Sequence, residues 1–278
     1  MLKLFKINLI SLFVLFVFIG CSTEKKFANE FVRKSSQIQV MVLSPEFIYK
    51  NNLNTNIVDS LGITEEIIRD SLLWEQSDFL KEINDSLLIA NYILGYKSEL
   101  GAYNIRVIDE ENANSLMSLD SNAYMINLAQ IEIEEEDYEY RDETQIYDYV
   151  YYHDHLFTAL NINSWFEINM INDNIASENI FYTTNTITDD LTSSYNYNMF
   201  SSQVEYIYEV DSLNLSKIYE YTYLLGRIYA TYTFDFIMNR YIEEKKGFPI
   251  AKSDLLRYNP NTRSFIVAGK NRFISLDE

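Results

Sequence analysis

The sequence predicts an α+β fold with an α/β-like opening, in which long helices pack on a single mixed β-sheet and a small hairpin follows at the C-terminus. Three observations predict it: a strand–helix–strand order near the start, extended tyrosine-rich segments in the middle, and one unusually long helix near the end. Of the 278 residues, 47% are hydrophobic, 7 are glycine and 3 are proline. This composition excludes a disordered stalk, collagen-like repeats and a proline-rich spacer.

The opening elements are read from apolar spacing and helix caps. Residues 37–43 form an apolar-rich segment that is ended by Ser44-Pro45, which predicts a strand buried on both faces. Thr64 marks one helix start, and Ser77-Asp78 marks the start of a longer helix that Gly101 ends. A second strand follows over residues 103–108. This order predicts a right-handed parallel crossover.

The middle of the chain has the character of an antiparallel meander. Residues 123–133 read as a strand, and we expect the acidic run that follows, residues 134–137, to end it as a solvated loop. Residues 147–169 are extended again. Their pairing partner comes from residues 179–184 or from residues 203–208, and the sequence leaves both open.

The long helix covers residues 215–244, about 45 Å at the standard rise. Gly226 and Ala230 lie four residues apart, so one side of this helix allows close approach of another element. Charged residues such as Lys217 and Arg227 interrupt it too often for a membrane span. We therefore expect a buried scaffold helix.

The first residues have the pattern of an export signal. Lys3 and Lys6 precede an apolar stretch over residues 7–19, and Gly20 is followed by Cys21, the only cysteine. This end resembles the lipobox of bacterial lipoproteins, in which a peptidase cuts before the cysteine and the thiol carries a diacylglycerol. The stretch is too short for a transmembrane helix, and it lacks the small-x-small site of an ordinary secretory signal.

These signals divide the chain into four parts. The expected organisation is a lipoprotein signal peptide over 1–20, a lipidated tether over 21–36, an α/β core domain over 37–246, and a C-terminal extension over 247–278 whose hairpin packs on the core.

The charge balance restricts the partners. Removal of residues 1–20 takes away two lysines and no acid, which leaves 20 basic and 41 acidic side chains, a net charge of −21. Such a chain repels nucleic acid and anionic membrane surfaces. Attachment to a membrane is therefore expected through lipidated Cys21 alone.

The two histidines, His153 and His155, are a candidate metal site. On a strand they share one face, with Asp154 on the other, so both imidazoles can reach one ion. Two ligands are only half a site, and a polar turn among tyrosines is the alternative. We therefore expect no metal, although a metal-dependent hydrolase at this pair is kept as a third hypothesis.

Other catalytic patterns are weaker. The Asp189-Asp190 and Ser193-Ser194 pairs lack a glycine-framed nucleophile, and the acidic run lacks the glycine of a calcium-binding EF-hand loop. P-loop and dinucleotide-binding patterns are absent, so no cofactor and no catalytic residue are predicted. Trp165 is either a ligand platform or, as we favour, a core residue.

A family resemblance is carried by the lipobox together with five segments. The segments are VMVLSPE at 40–46, LAQIE at 128–132, NINSWFE at 161–167, YNP at 258–260 and NRF at 271–273. Together these features resemble an uncharacterised lipoprotein family of Bacteroidetes, and the resemblance implies a Gram-negative envelope and no catalytic residue. Ser22 is compatible with outer-membrane sorting, and residues 22–26 lack the acidic cluster that resembles the surface-export signal of these bacteria, so we expect an outer-membrane position facing the periplasm.

The leading functional hypothesis is a non-enzymatic, membrane-anchored accessory lipoprotein that docks an envelope protein partner. The alternative is a periplasmic lipoprotein that binds a ligand or carbohydrate through exposed aromatic side chains.

Overall fold

The structure is a computed structural model that describes residues 23–108, 123–171, 180–251, 254–268 and 273–275. The expected signal peptide and Cys21 lie outside the described residues. The described helices are α1 (Thr23–Lys34), α2 (Asn56–Ser60), α3 (Glu66–Gln76), α4 (Asp85–Ala102) and α5 (Leu215–Lys246). The described strands are β1 (Gln39–Leu43), β2 (Tyr49–Asn52), β3 (Arg106–Ile108), β4 (Ala123–Ile146), β5 (Tyr149–Met170), β6 (Ile180–Thr188), β7 (Asp190–Asn198), β8 (Gln203–Asp211), β9 (Leu256–Asn259), β10 (Ser264–Val267) and β11 (Ile274–Ser275).

Seven of the described strands form one mixed sheet. Its order is β11-β6-β5-β4-β1-β3, and β2 pairs with β4 further along the edge that β1 occupies. β1 is parallel to both β3 and β4, whereas β4, β5 and β6 form an antiparallel meander. The predicted mixed sheet is therefore confirmed, and so are the parallel opening and the meander.

The hydrophobic core lies between one face of this sheet and helices α4 and α5. Alternate residues of β4 and β5 point toward the helices, as the two-residue period of a strand requires. Tyr92 of α4 and Tyr229 of α5 are fully buried against Phe166 of β5. The Tyr92 hydroxyl donates to Ser164 Oγ at 3.2 Å, so a polar group inside the core has a partner.

Helices α4 and α5 approach each other at a pair of glycines. A Cβ atom on Gly95 would overlap the carbonyl oxygen of Tyr223, and one on Gly226 would overlap the carbonyl oxygen of Tyr92. The close approach predicted at Gly226 is therefore confirmed. Its partner, Gly95, was not predicted.

The start of α4 differs from the expected position at Ser77-Asp78. The helix begins at Asp85, where the side chain of Asn84 caps the amide of Leu87 at 2.9 Å. The amides of residues 78–80 instead donate to the carboxylate of Glu135, at 2.7 to 3.3 Å. Glu135 is only 1% exposed, and its burial raises its pKa although the three amides act in the opposite direction.

The acidic run over residues 134–137 does not end the strand, and the prediction of a solvated loop there is wrong. β4 continues to Ile146 because β5 pairs with it along its whole length. Glu134 and Glu136 point to the sheet face away from the helices, where they accept hydrogen bonds from Asn163 at 2.9 Å and Asn161 at 2.7 Å. Their charges are thus compatible with a strand.

From Thr23 onward, the segment expected to be a polar tether is helix α1, which packs on the second half of α5. Ala28 and Phe31 are buried, and the Phe31 ring contacts those of Phe234 and Tyr241 at centroid distances of 5.4 and 5.5 Å. The sequence prediction missed that these apolar residues fall on one helical face.

The open choice of partner for β5 is resolved. β6 pairs with β5 over residues 159–167, whereas residues 203–208 belong to β8, which pairs with β7 in a separate hairpin. The predicted C-terminal hairpin, β9–β10, is confirmed. It is joined to α5 by Asn239, whose side chain bonds both backbone groups of Leu256 at 2.8 and 2.9 Å.

The glycine contact gives a direct test of helix packing. We expect Gly226→Ala to lower the free energy of unfolding by about 1–3 kcal/mol, because the added methyl group forces the two helix backbones apart. The matched control is Gly101→Ala in α4, the partner helix, where an added Cβ meets nothing within 4 Å. It should be neutral or stabilising by up to about 1 kcal/mol. Urea unfolding measures both, and equal effects would contradict the packing argument.

Candidate functional site

Strands β4 and β5 extend beyond the helical layer and form a projection that we call the β arm. It consists of residues 137–158 of the β4–β5 hairpin together with the β7–β8 hairpin. Within the sheet, β2 pairs no further than Glu135 and β6 no further than Ala159, so beyond these points the β4–β5 hairpin is two-stranded. An isolated two-stranded hairpin is marginal in water, which makes its contacts with β7–β8 important.

The β7–β8 hairpin covers one face of the arm. Asp142 of β4 is the centre of this contact, because its carboxylate accepts hydrogen bonds from the hydroxyls of Ser193 and Tyr206, and its carbonyl accepts one from Tyr195 at 2.7 Å. The rings of Tyr195 and Tyr206 contact each other at 4.7 Å and both contact His153. The two layers are therefore joined by a polar centre surrounded by aromatic rings.

His153 and His155 lie on one face of β5, as predicted, but they surround a tyrosine. The His153 ring stacks on Tyr206 at 4.0 Å, and His155 Nε2 lies 2.7 Å from the Tyr206 hydroxyl oxygen. Because that hydroxyl donates its proton to Asp142, the Nε2–H of His155 is the donor in this contact. No group of three or more His, Cys, Asp or Glu side chains in the described residues is arranged to hold a metal ion.

Tyr206 is held in its protonated form. Partial burial and the neighbouring Asp142 carboxylate raise its pKa to about 12, because both disfavour a phenolate. At neutral pH the hydroxyl therefore remains a donor to Asp142. This chain of contacts fixes the position of β8 over β5.

The other face of the arm is open. Three apolar side chains on this face of β5 are each more than half exposed: Val150, Tyr152 and Leu156. Arg141 of β4 is paired with Asp154 through two contacts, at 2.6 and 3.0 Å, and its guanidinium lies 4.4 Å from the Tyr152 ring centre. This ion pair lowers the pKa of Asp154 and neutralises the arginine.

A shallow cleft of about 650 Å³ lies at this open face. Its walls include Glu139 and Leu156 as well as the Arg141–Asp154 pair. A second cleft of about 550 Å³ lies beside α3, where Lys50 contacts Asp85 at 2.7 Å. The second cleft is thus lined by a lysine that already has a partner.

Trp165 is neither a fully buried core residue nor a fully exposed ligand platform. It is half-buried on the sheet face away from the helices, and its ring contacts that of Tyr182 at 5.0 Å. The Tyr182 hydroxyl donates to Asn163 at 2.9 Å. Trp165 is therefore part of a polar sheet face and not of the core beneath the helices.

The remaining candidates have structural partners. Asp189 joins the base of the arm to the core, because its carboxylate accepts hydrogen bonds from the amide of Leu213 at 2.6 Å and from that of Thr158 at 3.3 Å. Asp190 is exposed at the start of β7. The Ser193 hydroxyl donates to Asp142. His155 contacts the Tyr206 hydroxyl and not that of Ser193.

The negative charge of the protein is concentrated in its β half. Residues 107–216 contain 22 of the 41 acidic residues but a single basic residue, Arg141. The rest of the chain has 19 acidic and 21 basic residues, so it is nearly balanced. Sequence reasoning used the total charge and missed this division, although the spacing of lysine and arginine along the chain displays it.

Helix α5 runs antiparallel to β6. The Tyr221 hydroxyl, near its start, donates to the carbonyl of Thr186, and Phe236, two-thirds along, contacts Phe181 at 4.9 Å. Since β6 leads toward the arm, the first turn of α5 lies at the base of the arm. Its last turn lies at the opposite end, where Lys246 forms an ion pair with Glu24 in the first turn of α1. The arm and the start of α1 are thus at opposite ends of α5.

The Tyr206 contact gives a second test. We expect Tyr206→Phe to weaken the docking of β7–β8 by about 1.5–3 kcal/mol, because a hydrogen bond to a carboxylate is lost. Hydrogen exchange should then accelerate in residues 190–211 and stay unchanged in α4 and α5. The matched control is Tyr208→Phe, two residues along the strand, where the side chain is 56% exposed. Identical exchange in the two variants would contradict this role for the hydroxyl.

Among the described residues, no helix is both long enough and apolar enough to cross a membrane. The chain matches no protein-family description, and a search among curated proteins finds no match.

Proposed function

We propose that this protein is a lipid-anchored envelope protein that docks a partner protein through the β arm and has no catalytic activity. The observation that carries the proposal is the position of two features at opposite ends of α5. The chain enters the described fold at Thr23, beside the last turn of α5, while the arm projects from the first turn. A chain anchored at Cys21 would therefore present the arm away from the membrane.

The length of α5 supports this arrangement. Its 32 residues span about 48 Å. The arm adds further length to this span, because the distal part of β5 extends by about 3.3 Å per residue. Because α1 packs on α5, the first described residue, Thr23, lies beside the last turn of this scaffold helix. The arm would then lie about one helix length or more from the anchored end of the domain.

The character of the arm supports docking rather than chemistry. The polar groups at its centre pair with each other, as in the contacts of Asp142 with Ser193 and Tyr206 and of Arg141 with Asp154. Among its exposed side chains are eleven large hydrophobic ones, including Tyr152, Leu156 and Ile207, and such exposure is typical of protein-interaction surfaces. The proposed location is the outer membrane, on its periplasmic face.

The anchor is tested by replacing its thiol. Cys21→Ser should abolish incorporation of a labelled fatty acid and move the protein from the membrane to the soluble fraction. Ser22→Ala, the adjacent change, should leave both unchanged. A Cys21→Ser protein that still sediments with membranes would contradict attachment through the lipid.

The docking function is tested by crosslinking in intact cells. Chemical crosslinking of the lipidated protein should recover one envelope protein in near-equal amount. The Cys21→Ser protein, released from its membrane, is the control and should recover less of it. Recovery of no partner above background from the anchored protein would overturn the proposal.

A further inference from the structure

We propose that the open face of the β arm binds a basic segment of a partner protein that presents Lys or Arg residues and apolar residues together on one face. This inference rests on the proposed docking function and specifies its surface and its partner. The open face consists of Glu139, Arg141 and Glu143 on β4 and of Tyr152, Asp154 and Leu156 on β5.

Charge is the first argument for a basic partner. Residues 137–158 and 189–211 contain eleven acidic residues and one basic residue, Arg141. Because Asp154 holds that arginine in two hydrogen bonds, it offers little net positive charge to a partner. Glu139 and Glu143 lie exposed on either side of it. A basic segment is attracted to this face, whereas nucleic acid and acidic proteins are repelled.

Apolar exposure is the second argument. Leu156 is 65% exposed and Tyr152 54% exposed, although the same side of β5 is buried from Leu160 to Ile168. The strand therefore still carries apolar side chains on this side after the helices have ended. A partner that covers Leu156 and Tyr152 would continue the core along the arm. Burial of such apolar area stabilises association, before the costs of binding are subtracted.

The form of the arm favours a protein segment as the occupant. In the described residues 137–158, β4 and β5 form a ladder only with each other, so their outer edges have no strand partner there, although side chains occupy some edge groups, such as the amides of Asp137 and Thr158. Such edges can accept an added strand. A second copy of this chain is disfavoured, because two arms of the same strong negative charge repel each other.

Defined peptides test the surface directly. The probe is a synthetic Lys–Val peptide with the repeat Lys-Lys-Val-Val, which places both residue types on each face of an extended chain. A Glu–Val peptide with the repeat Glu-Glu-Val-Val is its counterpart, and binding is measured by fluorescence anisotropy on the full mature chain. We expect binding of the Lys–Val peptide only, weakening as salt is raised. Glu139→Lys with Glu143→Lys should weaken it about ten-fold.

The control variant makes the same change of charge at a different position in the arm. Glu205→Lys with Glu209→Lys lies on the face of β8 that points away from the arm, and it should change affinity less than about two-fold. Likewise Leu156→Ser should weaken binding, whereas Ile207→Ser, at a residue that is 50% exposed on that outer face, should not. Equal losses from the two charge reversals would overturn the proposal, because they would mean attraction to total charge and not to this face.

A photocrosslinking residue at position 156, and at position 207 for comparison, tests the surface in intact cells. A crosslink from 156 alone, mapped by mass spectrometry to a basic segment of the partner, supports the inference. A crosslink to an acidic or neutral segment, or to a second copy, overturns it. If chemical crosslinking recovers a partner but position 156 does not contact it, the inference fails while the docking function stands. If neither method recovers a partner, both fail.

Discussion

The antiparallel ladder between β4 and β5 is the constraint on which the rest of the structure depends. It runs from the pair Tyr124–Met170 to the pair Ile146–Tyr149. The register shifts once, between Leu128 and Gln130, and is constant from there to the tip. Because side chains alternate along a strand, this second register determines both which residues from Ile131 onward form the core and which face of the arm stays open. A shift by one residue would move Ile131, Ile133 and Ile162 out of the core and would carry Glu135 away from the amides it accepts. The core therefore fixes the register of the arm, although the arm lies outside the core.

The ladder also explains how a strongly acidic segment remains a strand. Acidic residues at alternate positions of β4 point away from the helices and find asparagine partners on β5, while Glu135 points inward and is enclosed by three backbone amides. Buried carboxylates are tolerated only with such compensation. The cost of burial remains visible in the raised pKa of Glu135. Its bonds in turn set the path of residues 78–80 and delay the start of α4.

The local sequence pattern was sufficient for prediction where the residues of a segment determine its own secondary structure. The apolar strand β1, the long helix α5, the meander and the C-terminal hairpin follow from spacing and turn residues, and the glycine at 226 correctly indicated a close helix contact. Prediction failed where a residue that is distant in the sequence determines the local structure. Pairing with β5 overrides the charge of residues 134–137, and Glu135, more than fifty positions away, takes the amides that Ser77-Asp78 would have given to a helix. Similarly, the spacing of the two histidines indicated a shared face, but only the fold places Tyr206 between them.

The division of charge has a consequence for orientation if the chain is anchored by a lipid at Cys21. A lipid fixes one point of the domain but leaves it free to tilt, and the balanced charges of the helical half give no preferred direction. The β half, with 22 acidic residues against one basic residue, is repelled by anionic headgroups whenever it tilts to within about a Debye length, roughly 8 Å at physiological salt. The repulsion acts on the arm and not on the anchored end, because the two lie at opposite ends of α5. The same acidic residues that attract a basic partner would therefore hold the arm away from the membrane, so no rigid linker between lipid and domain is needed.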